Sequence, residues 1–263
     1  METVYTPIIF LLNTILNLPS HLPYIKLRHI INAQKAGTGL FTIYLMGYFN
    51  NYNLGSWLYL ALHGTYGILW LLKDMTYPDP NFNRTASPFA HAAVGIVLVM
   101  YWYLPYIMVS GEGIQNPTGV RVVVCVFLLA IGSALMLVSD AQKYYTLKFK
   151  QGLISDGMFA YTRNPNYLGE IMIYLSFAIC TGHLLAYSIL VSIWLILFVT
   201  LMLNKERSLR KKKGWEEYSR RSWMLLPKIW ESDLGSIVFY SVLSYIIYYL
   251  HYNLQSPVAK AYF

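Results

Sequence analysis

Apolar runs alternate with short polar stretches along the whole chain. Runs at 56–72, 89–110, 119–139, 184–203 and 235–252 each approach the roughly 20 residues a helix needs to cross the hydrocarbon core of a bilayer. Three shorter runs complete the pattern: 5–20, broken by Pro19; 37–53, rich in glycine and asparagine; and 166–181. Thr181-Gly182-His183 between the runs 166–181 and 184–203 predicts a tight helical hairpin. The expected fold is therefore an all-α polytopic membrane helix bundle of about eight transmembrane segments, with no internal repeat.

Alternating the loops on this scheme sorts the basic residues. Of the 20 lysines and arginines, 18 fall on one side and only Arg121 and Lys260 on the other. That bias predicts a basic side facing the cytosol or its equivalent, with both termini facing away. No basic segment follows Met1 as a cleavable signal would require.

Composition agrees with a lipid solvent. Hydrophobic residues make up 56% and charged residues 12%, with a mean hydropathy of +0.42, too few polar side chains to coat a water-soluble globule. The net charge of +8 is read as topology and not as a nucleic-acid footprint. Cys125 and Cys180 lie inside apolar runs and read as small core residues. The histidines are scattered without metal-ligand spacing, so no metal is expected.

Chemistry-bearing residues gather on the basic side. In the stretch 152–170, Asn164 suits a helix N-cap and Pro165 the first helical position, so a helix should begin there with free backbone N–H groups offering a seat for an anion. Arg163, Asn166 or Tyr167, Glu170 and Tyr174 then share a face, and Glu170 stands out because a carboxylate one turn into an apolar helix is expensive. In a second cluster, 204–218, Glu206 and Arg210 are spaced to pair. Lys211, Lys212 and Lys213 read as a solvated run, and Glu206, Arg207 and Tyr218 as site candidates. Asp140 and Lys143 close the run 119–139 on the same side. His63 and Tyr66 share a face inside the run 56–72, with Lys73 and Asp74 at its end.

The run Arg163-Asn164-Pro165-Asn166-Tyr167-Leu168-Gly169-Glu170, followed by a helical hairpin and then Glu206, Gly214, Tyr218 and Pro227, resembles the C-terminal region shared by steroid 5-alpha-reductases, membrane sterol reductases and isoprenylcysteine carboxyl methyltransferases. The resemblance covers about 119–230. It implies a membrane core at 119–230, substrate-side helices at 1–118, and an added helix and tail at 231–263. Glu170 directly after the Tyr-x-Gly motif, and asparagine in place of histidine at Asn164, are closer to the reductase branch.

By that resemblance Asp140, Lys143, Arg163, Asn166, Tyr167, Glu206, Arg207 and Tyr218 would hold NADPH, and Glu170 would accept a hydrogen bond from the nicotinamide carboxamide. The implied activity is reduction of an activated C=C bond in a sterol, steroid or other lipid, with Tyr66, assisted by His63, as the acid. Two alternatives stand beside it: methyl transfer from S-adenosylmethionine to a prenylcysteine or phospholipid, and a non-catalytic subunit held by membrane-protein partners. The resemblance implies the endoplasmic reticulum, with a mitochondrial membrane as the alternative.

Overall fold

The computed structural model describes residues 2–17, 26–83 and 85–254. Of the described residues 78% are helical and none lies in a strand. The elements are α1 (Glu2–Asn17), α2 (Leu27–Tyr48), α3 (Leu54–Thr76), α4 (Pro88–Val109), α5 (Gly119–Phe149), α6 (Pro165–Thr181), α7 (Leu184–Ile193), α8 (Val199–Leu209), α9 (Trp215–Arg221) and α10 (Asp233–Leu254). A five-residue π-helical stretch, Trp194–Phe198, joins α7 to α8 without a break.

Each predicted apolar run corresponds to a helix. Among the described residues, three helices are long and apolar enough to cross a membrane by length and composition: Pro88–Val109, Gly119–Phe149 and the continuous Leu184–Leu209. That is fewer than the eight crossings expected. The difference lies in polarity and length: α2 carries Asn32, Gln34 and Lys35, α3 carries His63, Lys73 and Asp74, and α6 is only 17 residues long. The protein is an integral membrane protein by its apolar helices.

Several boundaries differ from the sequence reading. α2 begins at Leu27, ten residues before the predicted run, so Lys35 belongs to a helix and not to a loop. α5 continues to Phe149, so Asp140 and Lys143 project from helical turns instead of closing a span. Pro19, Arg84 and Lys260 lie outside the described residues.

Helix starts follow from local chemistry. The Ser87 hydroxyl accepts from the Ala90 N–H at 3.1 Å with Pro88 in the first turn, and Thr118 caps α5 by accepting from the Arg121 N–H at 3.4 Å. α6 and α7 form the predicted hairpin, where His183 Nδ1 accepts from the Leu185 N–H at 3.2 Å.

The core is built where α3, α4, α5 and α6 meet, around Tyr59, Tyr66, Leu104, Met136, Ile173 and Phe177. The glycine of the Tyr-x-Gly motif makes the α5–α6 contact possible. A Cβ on Gly169 would stand 2.5 Å from the Gly132 carbonyl oxygen, so only glycine lets the two backbones approach this closely.

Candidate functional site

Contacts between helices gather the cations at one end of the bundle. Arg28 meets Asp74 at 2.6 Å, Lys73 meets Asp140 at 2.6 Å, and Lys143 lies 3.9 Å from Asp79. Arg121 sits at the opposite end of α5, donating to the Ile179 carbonyl at 2.5 Å.

Inside that end lies an aromatic and polar centre. Lys35 on α2 points its ammonium between the rings of Tyr66, Trp70 and Tyr174, at 4.6, 4.9 and 4.7 Å from their centroids. Its Nζ donates to the Tyr66 hydroxyl at 3.0 Å and also to the Tyr174 hydroxyl. The residue is only 4% exposed, and no described carboxylate forms a salt bridge with it. Ring quadrupoles and phenol oxygens therefore solvate the charge in place of water. Gly67 allows this placement, because a Cβ there would collide with the Lys35 carbonyl oxygen.

Glu170, half-buried on α6, makes no hydrogen bond to a described residue, and Lys35 and Lys73 are the cations whose charge acts on it. Nearby on the same helix the Asn166 Oδ1 is buried without a partner. Tyr167, half-buried, packs against Phe198 with ring centroids 5.3 Å apart. These three keep unsatisfied polar capacity at the basic end of α6.

The other candidates are committed to the protein itself. Arg163 donates from Nε and Nη2 to the two oxygens of Glu206 at 3.1 and 3.0 Å, and from Nη1 to Ser222. Its guanidinium also lies 5.4 Å from the Trp215 ring centre. The Tyr218 hydroxyl donates to the Phe159 carbonyl at 2.8 Å, and burial pushes its pKa up to about 12. Arg207 turns outward to the Thr6 hydroxyl at 2.8 Å. The expected Glu206–Arg210 pair is replaced by Glu206–Arg163.

Two further expectations change. Asn164 occupies the N-cap position but makes no capping bond with its side chain: Nδ2 donates to the Met224 carbonyl at 2.8 Å, and Oδ1 accepts from Lys205 at 3.0 Å. With Asn164 and Pro165 both buried, the helix start is packed against protein and not open as an anion seat. His63 lies beside the Tyr66 ring, with centroids 6.3 Å apart, but makes no hydrogen bond to it. Its Nδ1 bonds the Tyr59 hydroxyl at 2.9 Å and its ring stacks on Phe177, leaving Nε2 buried without a partner.

Lys35 is the residue the sequence reading missed as chemistry. Its sequence signal was faint: it shares a face with Ile31 and Thr38, but a lysine stem can carry its head to water past such neighbours, and only the packing shows that it does not. A group of histidine, cysteine or carboxylate side chains able to hold a metal does not occur among the described residues.

Asn166, Tyr167 and Glu170 fit a nicotinamide carboxamide, since an amide oxygen and a carboxylate without donor partners can accept from its N–H groups and a phenol hydroxyl can donate to its carbonyl. Lys143, whose nearest carboxylate is 3.9 Å away, retains donors for a phosphate. Asp140, Arg163, Glu206 and Tyr218 are engaged by protein partners, whereas Arg207 bonds Thr6 through Nη2 alone and keeps its other donors.

The sequence profile of a family described as "Protein of unknown function (DUF1295)" matches residues 81–222. The chain belongs to this family. It includes steroid 5-alpha-reductase-like membrane proteins, in agreement with the motif at 163–170. No curated protein matches the chain.

Proposed function

We propose that this protein is a membrane oxidoreductase of the steroid 5-alpha-reductase type, reducing an activated C=C bond of a sterol, steroid or other lipid with NADPH. The observation that carries the reading is the Lys35–Tyr66–Tyr174 unit beside Glu170. A phenol hydrogen-bonded to an ammonium is a proton donor whose conjugate base is stabilised where it forms.

In this reading Asn166, Tyr167, Glu170 and Lys143 hold the dinucleotide, which supplies the hydride. Tyr66 gives its proton to the substrate, and Lys35 stabilises the resulting phenolate. Tyr174, bonded to the same ammonium, fixes the lysine's direction. Tyr66 is fully enclosed, so substrate reaches its hydroxyl only when the helices around it move apart. The topology that accompanies this reading has eight crossings, the basic end in the cytosol, substrate-side helices within 1–118 and an endoplasmic reticulum location.

The test uses detergent-purified protein titrated separately with NADPH and S-adenosylmethionine, followed by turnover of a panel of lipid enones. Saturable NADPH binding weakened by Glu170→Gln, with turnover abolished but binding retained in Tyr66→Phe, is the expected result. Binding of S-adenosylmethionine alone overturns it in favour of methyl transfer. Binding of neither cofactor leaves the non-catalytic subunit as the reading.

A further inference from the structure

A concavity lies away from the polar centre, on the surface beyond the end of α8. It encloses about 720 Å³ and is lined by Lys212, Trp215, Arg220 and Arg221 together with the carboxylates Glu216, Glu217 and Glu231. Its depth relative to the membrane follows from the helices around it. The apolar span Leu184–Leu209 ends just before it, and the apolar helix that starts at Asp233 begins just after it. These neighbours point to a position near the lipid headgroups, beside the cationic run at Lys211 to Lys213.

Its charges are arranged unlike those in the interior. There, opposite charges meet in pairs: Arg163 with Glu206, and Lys73 with Asp140. Here, cations and carboxylates share one cavity, yet Arg220, Glu216, Glu217 and Glu231 form no ion pair with a described residue. Arg221 donates from Nη2 to the Ser155 carbonyl at 2.6 Å, while its Nε–H has no acceptor. Such a lining complements a ligand that carries both signs on separate groups. Guanidinium groups suit phosphate, and carboxylates beside an indole suit a substituted ammonium.

The backbone around Glu231 supports the same picture. Trp230 and Glu231 both hold positive φ, at 50° and 54°, a conformation that non-glycine residues rarely adopt. This turn brings Glu231 to the cavity lined by α9 and leaves the Trp230 ring exposed, as an interfacial tryptophan would be. On the inner side Trp215 rests on Arg163, so whatever fills the cavity touches the wall of the buried ion pair.

We propose that this cavity binds the phosphate–ammonium headgroup of a zwitterionic membrane phospholipid, with phosphate on Arg220 and Arg221 and the ammonium among Glu216, Glu217 and Glu231. This is independent of the reductase reading, since it uses none of that site's residues.

The experiment is native mass spectrometry of the full chain from detergent micelles with added phosphatidylethanolamine, phosphatidylcholine, phosphatidylglycerol or diacylglycerol. Expected is a saturable one-to-one adduct with the two zwitterionic lipids, weakened at least ten-fold by Arg220→Gln and by the double variant Glu216→Gln/Glu217→Gln. Glycerophosphocholine should displace the lipid and inorganic phosphate should not. All three substituted residues are exposed, and an unchanged melting temperature confirms folding. The proposal is overturned if the variants bind as the parent does. Diacylglycerol binding equally well also overturns it, by pointing to an apolar surface. Phosphatidylglycerol binding as tightly and indifferently to the glutamate variants overturns it in favour of a simple anion site.

Discussion

Arg163 meets both oxygens of Glu206 in a two-point ion pair that joins the start of α6 to the end of α8, 43 residues apart in sequence. The most distinctive cation of the motif at 163–170 thus holds two helices together. Breaking a buried pair leaves an uncompensated charge and costs roughly 3–5 kcal/mol, whereas replacing both partners by apolar residues is often neutral. Glu206→Gln and Arg163→Met should each lower the melting temperature in detergent substantially, and Arg163→Met/Glu206→Leu should recover most of the loss. If Arg163→Met melts like the parent and only loses cofactor affinity, the structural assignment fails.

Lys35→Met removes the ammonium and keeps the length of the side chain. It should reduce turnover of a lipid enone by about 10²–10⁴-fold, the range for loss of a positioned proton donor's support, while NADPH affinity changes little. Equal losses in affinity and turnover would place Lys35 on the cofactor instead.

Gly169→Ala introduces a Cβ that meets the Gly132 carbonyl oxygen at 2.5 Å. Overpacking of this kind costs about 1–3 kcal/mol, so thermal stability should fall even though alanine is the better helix former. A stabilised variant would show that α5 and α6 are not in this contact.

Tyr218 gives a dependence on alkaline pH. Burial raises its pKa to about 12, so the folded chain keeps the phenol proton where the unfolded chain has lost it. Its contribution is complete below the ordinary tyrosine value near 10 and disappears as pH rises toward about 12. Tyr218→Phe should melt lower at neutral pH, through loss of the bond to the Phe159 carbonyl. It should also show a shallower decline than the parent between those values in a pH series of melting curves.

The helices were legible because the apolar runs are separated by polar stretches and some carry recognisable punctuation, such as Pro165 at α6 and the turn at Thr181-Gly182-His183. The spacing of Glu170 and Asn166 also placed them correctly on one helix. Partners across helices were not legible. Glu206 has a neighbour one turn away in Arg210, and local spacing favours that pair; only the packing of α8 against the start of α6 redirects the carboxylate to Arg163. For the same reason His63 looked like the partner of Tyr66. The third residue of that cluster, Lys35, comes from α2 and is 31 positions from Tyr66, where no periodicity within α3 could reveal it.

The π-helical stretch at Trp194–Phe198 sets the rotational phase of everything that follows it. Each residue advances an α-helix by about 100°, so the extra residue of a π-turn offsets the downstream face by about that angle. Were the stretch regular, Glu206 would swing away from Arg163 and a neighbouring side chain would take its bearing. The long helix thus works as a keyed shaft: its upper part is fixed by the hairpin with α6, and the bulge sets the angle at which its lower part presents the carboxylate that locks onto the same α6.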